Sequence, residues 1–109
     1  MNNKKILIVD DEARMRKLLK DFLSASNFEI LEAENGQVAL DTFKGNEDIA
    51  LIILDVMMPV LDGWATLREI RKISKVPVIM LTARGEEHDE LFGFELGVDE
   101  YISKPFSPK

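Results

Sequence analysis

Ala50-Leu51-Ile52-Ile53-Leu54-Asp55 is a run of five apolar side chains that stops on a carboxylate. A strand with water on one side alternates apolar and polar residues, so an unbroken run describes a strand covered on both faces, as in a parallel sheet. Ile6-Leu7-Ile8-Val9 repeats the pattern, β-branched at three of its four positions, and stops on Asp10 and Asp11. Val76 to Leu81 supplies a third apolar strand, which ends at Thr82.

The segments between these strands have helical spacing. From Glu12 to Ala25, apolar residues fall at Met15, Leu18, Leu19, Phe22 and Leu23, with Lys17 and Lys20 on the other side. Glu29 to Ala33 is a modest strand, and Gly36 to Lys44 presents Ala39, Leu40 and Phe43 on one helical face. After a loop holding Pro59 and Gly63, Trp64, Leu67 and Ile70 mark a third helix, with Arg68, Arg71 and Lys72 at other positions. Glu86 to Leu96 predicts a fourth helix stopped by Gly97, and Asp99 to Ile102 a last strand before Lys104. The order βαβαβαβαβ specifies an α/β fold, a doubly wound parallel sheet of five strands with helices on both faces. Ligands of such sheets sit outside the carboxyl ends of the strands. Asp10 with Asp11, Asp55, Thr82 and Lys104 occupy four of those ends.

Composition narrows the chemistry. At 109 residues the chain is long enough for one compact domain, 1–109, and too short for a second of ordinary size. An apolar share of 46% and a charged share of 31% describe a soluble globular chain. The absence of cysteine removes disulfides, thiolate catalysis and zinc–thiolate sites, and fits the cytoplasm. A net charge of −6 argues against direct nucleic-acid contact by this domain. Only five apolar residues precede Asp10, which is too few for a signal-peptide core or a membrane span. Phe106-Ser107-Pro108-Lys109 resembles the opening of another helix, with Ser as cap and Pro at the first helical position. The expectation is therefore a chain truncated before its fifth helix, with apolar sheet surface open to dimerisation or looser association.

With no sulfur ligand available, a metal must be held by oxygen. Three clustered carboxylates repel one another by roughly 4 kcal/mol per pair at 4 Å under an effective dielectric near 20, before relaxation or protonation. A divalent cation removes that cost. A few carboxylates plus waters suit Mg²⁺, with Mn²⁺ as a possible substitute. Lys104 offers a mobile point charge and Thr82 a hydroxyl donor, so one pocket could hold phosphoryl oxygens among metal, ammonium and hydroxyl. Asp55 is the candidate nucleophile, because it stands alone at the end of the most apolar strand, whereas Asp10 and Asp11 are adjacent and suit a metal-binding pair.

Ile8-Val9-Asp10-Asp11-Glu12, Leu54-Asp55-Val56-Met57-Met58-Pro59, Asp62-Gly63, Leu81-Thr82-Ala83, Gly97-Val98-Asp99-Glu100-Tyr101 and Lys104-Pro105-Phe106 together resemble the receiver domain of bacterial two-component response regulators. The match runs in order over the whole chain. The resemblance implies a flavodoxin-like strand order of 2-1-3-4-5. It implies that Asp55 takes a phosphoryl group from a phosphohistidine on a sensor histidine kinase, with self-catalysed transfer and autodephosphorylation and no other enzyme activity. It implies that Asp10, Asp11, Asp55 and the backbone carbonyl of Met57 arrange Mg²⁺. Thr82, the Ala83 N–H and Lys104 would then bind the phosphoryl group, and Lys104-Pro105 would be a cis peptide. Thr82 and Tyr101 would form the conformational switch. The Ser107-Pro108 continuation is similar to regulators that carry a winged-helix DNA-binding output domain, which controls transcription.

Blander readings exist for each residue alone. Asp10-Asp11 could be an exposed turn that also caps the first helix, Lys104 a surface lysine, Thr82 a strand-end turn residue and Tyr101 a half-buried packing residue. Trp64, Phe22 and Phe43 read as core or flank packing, and His88 as a solvated helix residue. The competing function is a Mg²⁺-dependent phosphohydrolase with an aspartyl nucleophile. In the best-known such family the nucleophile lies in an Asp-x-Asp pattern after the first strand, whereas here the aspartates are adjacent. A nucleotide- or flavin-binding module would need a glycine-rich phosphate loop where Asp10-Asp11-Glu12 stands.

Overall fold

The computed structural model describes residues 4–25, 27–56, 61–82 and 100–103, with the backbone alone for 82 and 100–103. The three apolar runs form strands β1 (Lys5–Val9), β3 (Ile49–Asp55) and β4 (Val78–Thr82), joined in the sheet by β2 (Glu29–Ala33) and β5 (Glu100–Ser103). All pairings are parallel, in the order β2-β1-β3-β4-β5. Helices α1 (Ala13–Leu23), α2 (Gly36–Lys44) and α3 (Gly63–Arg71) connect the first four strands.

Strand alternation divides the apolar side chains between two cores, since successive side chains point to opposite faces. Leu7, Val9, Ile52, Leu54, Val78 and Met80 pack on one face with Ala39 and Leu40 of α2 and Leu67 and Ile70 of α3. Ile6, Ile8, Ile53 and Leu81 pack on the other with Leu19 of α1. This is why β1 and β3 read as continuous hydrophobic runs. Phe43 and Trp64 pack as partly buried neighbours of the first core. Phe22, by contrast, sits at the flank and is 53% exposed.

Local hydrogen bonding moves several boundaries from those the sequence suggests. The helix expected over Glu12 to Ala25 spans Ala13–Leu23, because Glu12 is extended at the N-cap and the Ser24 hydroxyl donates to the Asp21 carbonyl at 2.7 Å. The strand expected from Val76 begins at Val78. The Val76 N–H donates to Ser74 Oγ, its carbonyl accepts from Arg71 Nη1 at 2.8 Å, and Pro77 has no N–H. Those groups are already committed or lacking before the ladder starts. β3 and β5 each run one residue past the expected end, to Asp55 and Ser103. The expected fourth helix with Gly97 and His88, and the helix start at Ser107-Pro108, lie outside the described residues.

Placing β1 between β2 and β3 creates a switch point, since the chain leaves β1 toward one edge and later returns to its other side. Val9 pairs with Leu54, so Asp10 and Asp55 follow at the same level on neighbouring strands.

Candidate functional site

The site begins with the ends of β1 and β3. Carboxylate oxygens of Asp10, Asp11 and Asp55 lie within 4.8 Å of one another. Asp10 is fully buried and Asp55 is 4% exposed, whereas Asp11 is exposed. The adjacent pair is therefore split between interior and solvent. Asp10 Oδ1 accepts from the Glu12 N–H at 2.9 Å, closing a local turn, while the helix cap itself falls to Glu12, which makes no side-chain cap bond. The reading of an exposed turn that caps the helix fails at Asp10, which is buried and leaves the N-cap to Glu12; one carboxylate oxygen makes a local turn and the residue still joins the acidic group.

The main chain around Asp55 is held from two sides. The Val56 N–H donates to the Leu81 carbonyl at 3.0 Å, and the Gly63 N–H donates to the Val56 carbonyl at 2.8 Å. A side chain at Gly63 would collide with the Asp55 carbonyl oxygen and stand 2.7 Å from Val56 Cα. Only glycine lets the first turn of α3 close on the end of β3. Asp62 caps the same helix, accepting from the Ala65 N–H at 2.8 Å. A comparable approach at Gly36, where a Cβ would meet Thr66 Oγ1 and the Leu61 carbonyl, seats α2 against the segment that leads into α3.

Arg16 supports the other half of the cluster. Its Nη1 donates to the Asp10 carbonyl at 2.7 Å and its Nε pairs with Glu32 Oε1 at 3.1 Å. The helical pattern marks Lys17 and Lys20 on the solvent side of this helix but not Arg16. The available signal was a long cationic side chain one turn into the helix that follows Asp10-Asp11. Gly63, which the sequence pattern places in a loop, is the first residue of α3, and its close packing on Asp55 is a tertiary contact that no local pattern marks.

The remaining predicted residues divide into two groups. Thr82 ends β4, one residue past Leu81, which pairs with Asp55, and Thr82 itself pairs with Ser103; Tyr101 lies within β5 opposite Met80. Their side chains are outside the described part of the structure, as are Met57, Ala83 and Lys104 altogether. Among the described residues, the backbone brings Asp10, Asp11, Asp55 and Thr82 to one end of three adjacent strands. Three carboxylates this close, two of them shielded from water, make a donor set that fits a hard divalent cation completed by water. No helix among the described residues is long and apolar enough to cross a membrane.

Residues 6–109 match the family model described as the response regulator receiver domain. The transcriptional regulatory protein ResD of Bacillus subtilis is 53% identical over 109 residues, covering 99% of this chain and 45% of ResD. The transcriptional regulatory protein SrrA of Staphylococcus aureus is 51% identical over 104 residues, covering 95% of this chain and 43% of SrrA. The chain thus spans less than half the length of these curated relatives. A crystal structure of a response regulator receiver domain protein from Clostridium thermocellum superposes with a TM-score of 0.89 at 34% identity, covering 96% of this chain and 85% of that one.

Proposed function

The chain belongs to the response regulator receiver domain family, and from that premise we propose that Asp55 is the phosphoacceptor of a two-component signalling protein that regulates transcription. The observation that carries this reading is the buried Asp55 carboxylate, grouped within 4.8 Å with two further carboxylates on the neighbouring strand end.

In the proposed reaction an Asp55 oxygen attacks the phosphorus of a phosphohistidine on a sensor histidine kinase. A P–O bond forms as the P–N bond breaks, and the departing imidazole takes up a proton. Asp10, Asp11, Asp55 and the Met57 backbone carbonyl would hold Mg²⁺, with Mn²⁺ able to replace it. When bound, the metal neutralises the charge that collects on the carboxylates and the phosphoryl oxygens. Thr82 would donate its hydroxyl, Ala83 its backbone N–H and Lys104 its ammonium to the phosphoryl group. Asp55 would serve as a transient phosphoryl store rather than as a turnover catalyst. Autodephosphorylation would then be the only hydrolysis the domain performs.

The added charge and acceptor oxygens at Asp55 would draw Thr82 inward, with Tyr101 moving into the space vacated. Phosphorylation shifts an equilibrium between two conformations only by its differential affinity for them, so an active-like minor state accompanies the unphosphorylated chain. The names of ResD and SrrA, both transcriptional regulatory proteins, support an output on transcription; that output would pass through a DNA-binding domain of the full-length protein, in the cytoplasm. The −6 charge of this domain agrees with leaving DNA contact to that partner domain.

Incubation with acetyl phosphate and Mg²⁺, followed by intact mass measurement, tests the proposal. One phosphoryl adduct per chain, lost in Asp55→Asn, is the expected result. Multiple turnover of an unrelated phosphate ester would favour the phosphohydrolase alternative and overturn it.

A further inference from the structure

We propose that Arg16 is a positioning residue for the divalent cation, acting through the Asp10–Asp11 peptide; this rests on the metal reading of the acidic cluster. The Asp10 N–H donates to the Ala33 carbonyl at 3.1 Å, Asp10 Oδ1 accepts from the Glu12 N–H at 2.9 Å, and the Asp10 carbonyl accepts from Arg16 Nη1 at 2.7 Å. That carbonyl belongs to the peptide bond leading into Asp11. Because a peptide is planar, fixing its oxygen fixes the direction in which the chain enters Asp11. Asp11 is the exposed member of the cluster. Arg16 therefore sets where Asp11 presents its carboxylate.

Arg16 is itself held. Its side chain is only 17% exposed, its Nε is paired with Glu32 at 3.1 Å, and Glu32 also meets Lys20 Nζ at 3.7 Å. The guanidinium spans the end of β1 and the outer strand β2 with two donors in one rigid plane. Lysine, with a single flexible ammonium, cannot reproduce that two-point geometry. The cation also lies beside a site that must attract another cation. Its field alone would weaken metal binding, whereas its positioning strengthens it. The two effects have opposite signs and can be separated.

The experiment is a titration of the unphosphorylated chain with Mn²⁺, which takes the same oxygen ligands, reading free ion by electron paramagnetic resonance. Wild type should bind one ion. Arg16→Lys and Arg16→Met should each bind it roughly tenfold more weakly, the range expected when a group that orients a metal ligand is lost. Placed in an Asp11→Asn background, Arg16→Lys should cause little further loss, because its effect passes through Asp11. Tighter binding in Arg16→Met with no change in Arg16→Lys would mean that the residue acts by its field, which overturns the inference. So would unchanged affinity in both variants. A wild-type chain that binds no Mn²⁺ would instead overturn the metal reading on which the inference stands.

Discussion

Asp10 and Asp11 are neighbours in the chain but not in environment, the first fully buried and the second exposed. Without a cation, each adds repulsion to Asp55. Neutralising either one should stabilise the metal-free protein by about 1 kcal/mol. Asp10→Asn keeps an acceptor for the Glu12 N–H, so its gain in stability is not cancelled by loss of the turn. Both variants should lose most of the thermal stabilisation that Mg²⁺ confers on wild type. Melts with and without Mg²⁺ check this, and an undiminished metal response in both would contradict it. Gly63 makes a complementary prediction. A methyl group there must displace the Asp55–Val56 backbone, which should destabilise the chain by about 2–3 kcal/mol as an overpacked contact. Phosphorylation by acetyl phosphate should slow even at temperatures where Gly63→Ala remains folded, because the acceptor itself has moved. A folded variant with the wild-type rate would show that the contact does not position Asp55.

At the level of elements, the N-termini of α2 and α3 are built alike and should differ in consequence. Asn35 accepts from the Val38 N–H at 2.9 Å and Asp62 from the Ala65 N–H at 2.8 Å. Removing either cap with alanine should cost about 1 kcal/mol, read from urea denaturation. Only α3 has its first turn seated on the end of β3 through the Gly63 N–H and Val56 carbonyl. Asp62→Ala should therefore slow phosphorylation more than Asn35→Ala does at matched stability. Equal rates in the two variants would separate capping from site geometry. Arg71 is a further case of an element set by side-chain bonding. By holding the Ser74 and Val76 carbonyls it shapes the turn into β4, a boundary that the apolar pattern alone places two residues early.

Among the described residues, the two faces of the sheet are not equally covered. The face packed by α2 and α3 encloses the larger core, while on the α1 side Leu19, Phe22, Leu23, Leu51, Ile53, Ile79 and Leu81 line an apolar cavity of about 160 Å³. Phe22, half exposed at its rim, adds apolar surface to that side. The isolated chain should therefore associate as its concentration rises, and Phe22→Ser should reduce that association. Sedimentation velocity measures it directly; a monomer at every concentration would count against an open apolar face.

Much of this architecture is written in local pattern. Continuous apolar runs at Ile6–Val9 and Ala50–Leu54 can be satisfied only by strands buried on both faces, and the helical stripes between them supply the covering layers. Carboxylates that end such strands collect where the strand order reverses, so Asp10 and Asp55 could be picked out without coordinates. What sequence could not carry was any relation that depends on distance across the fold. The burial of Asp10 against the exposure of Asp11, the Arg16 bridge from the Asp10 carbonyl to Glu32, and the fit of Gly63 on Asp55 join residues with no shared periodicity. Periodicity reports which side of an element faces inward, because burial repeats with the helix or the strand. Hydrogen-bond partners and close backbone contacts do not repeat, and only the packed chain decides them.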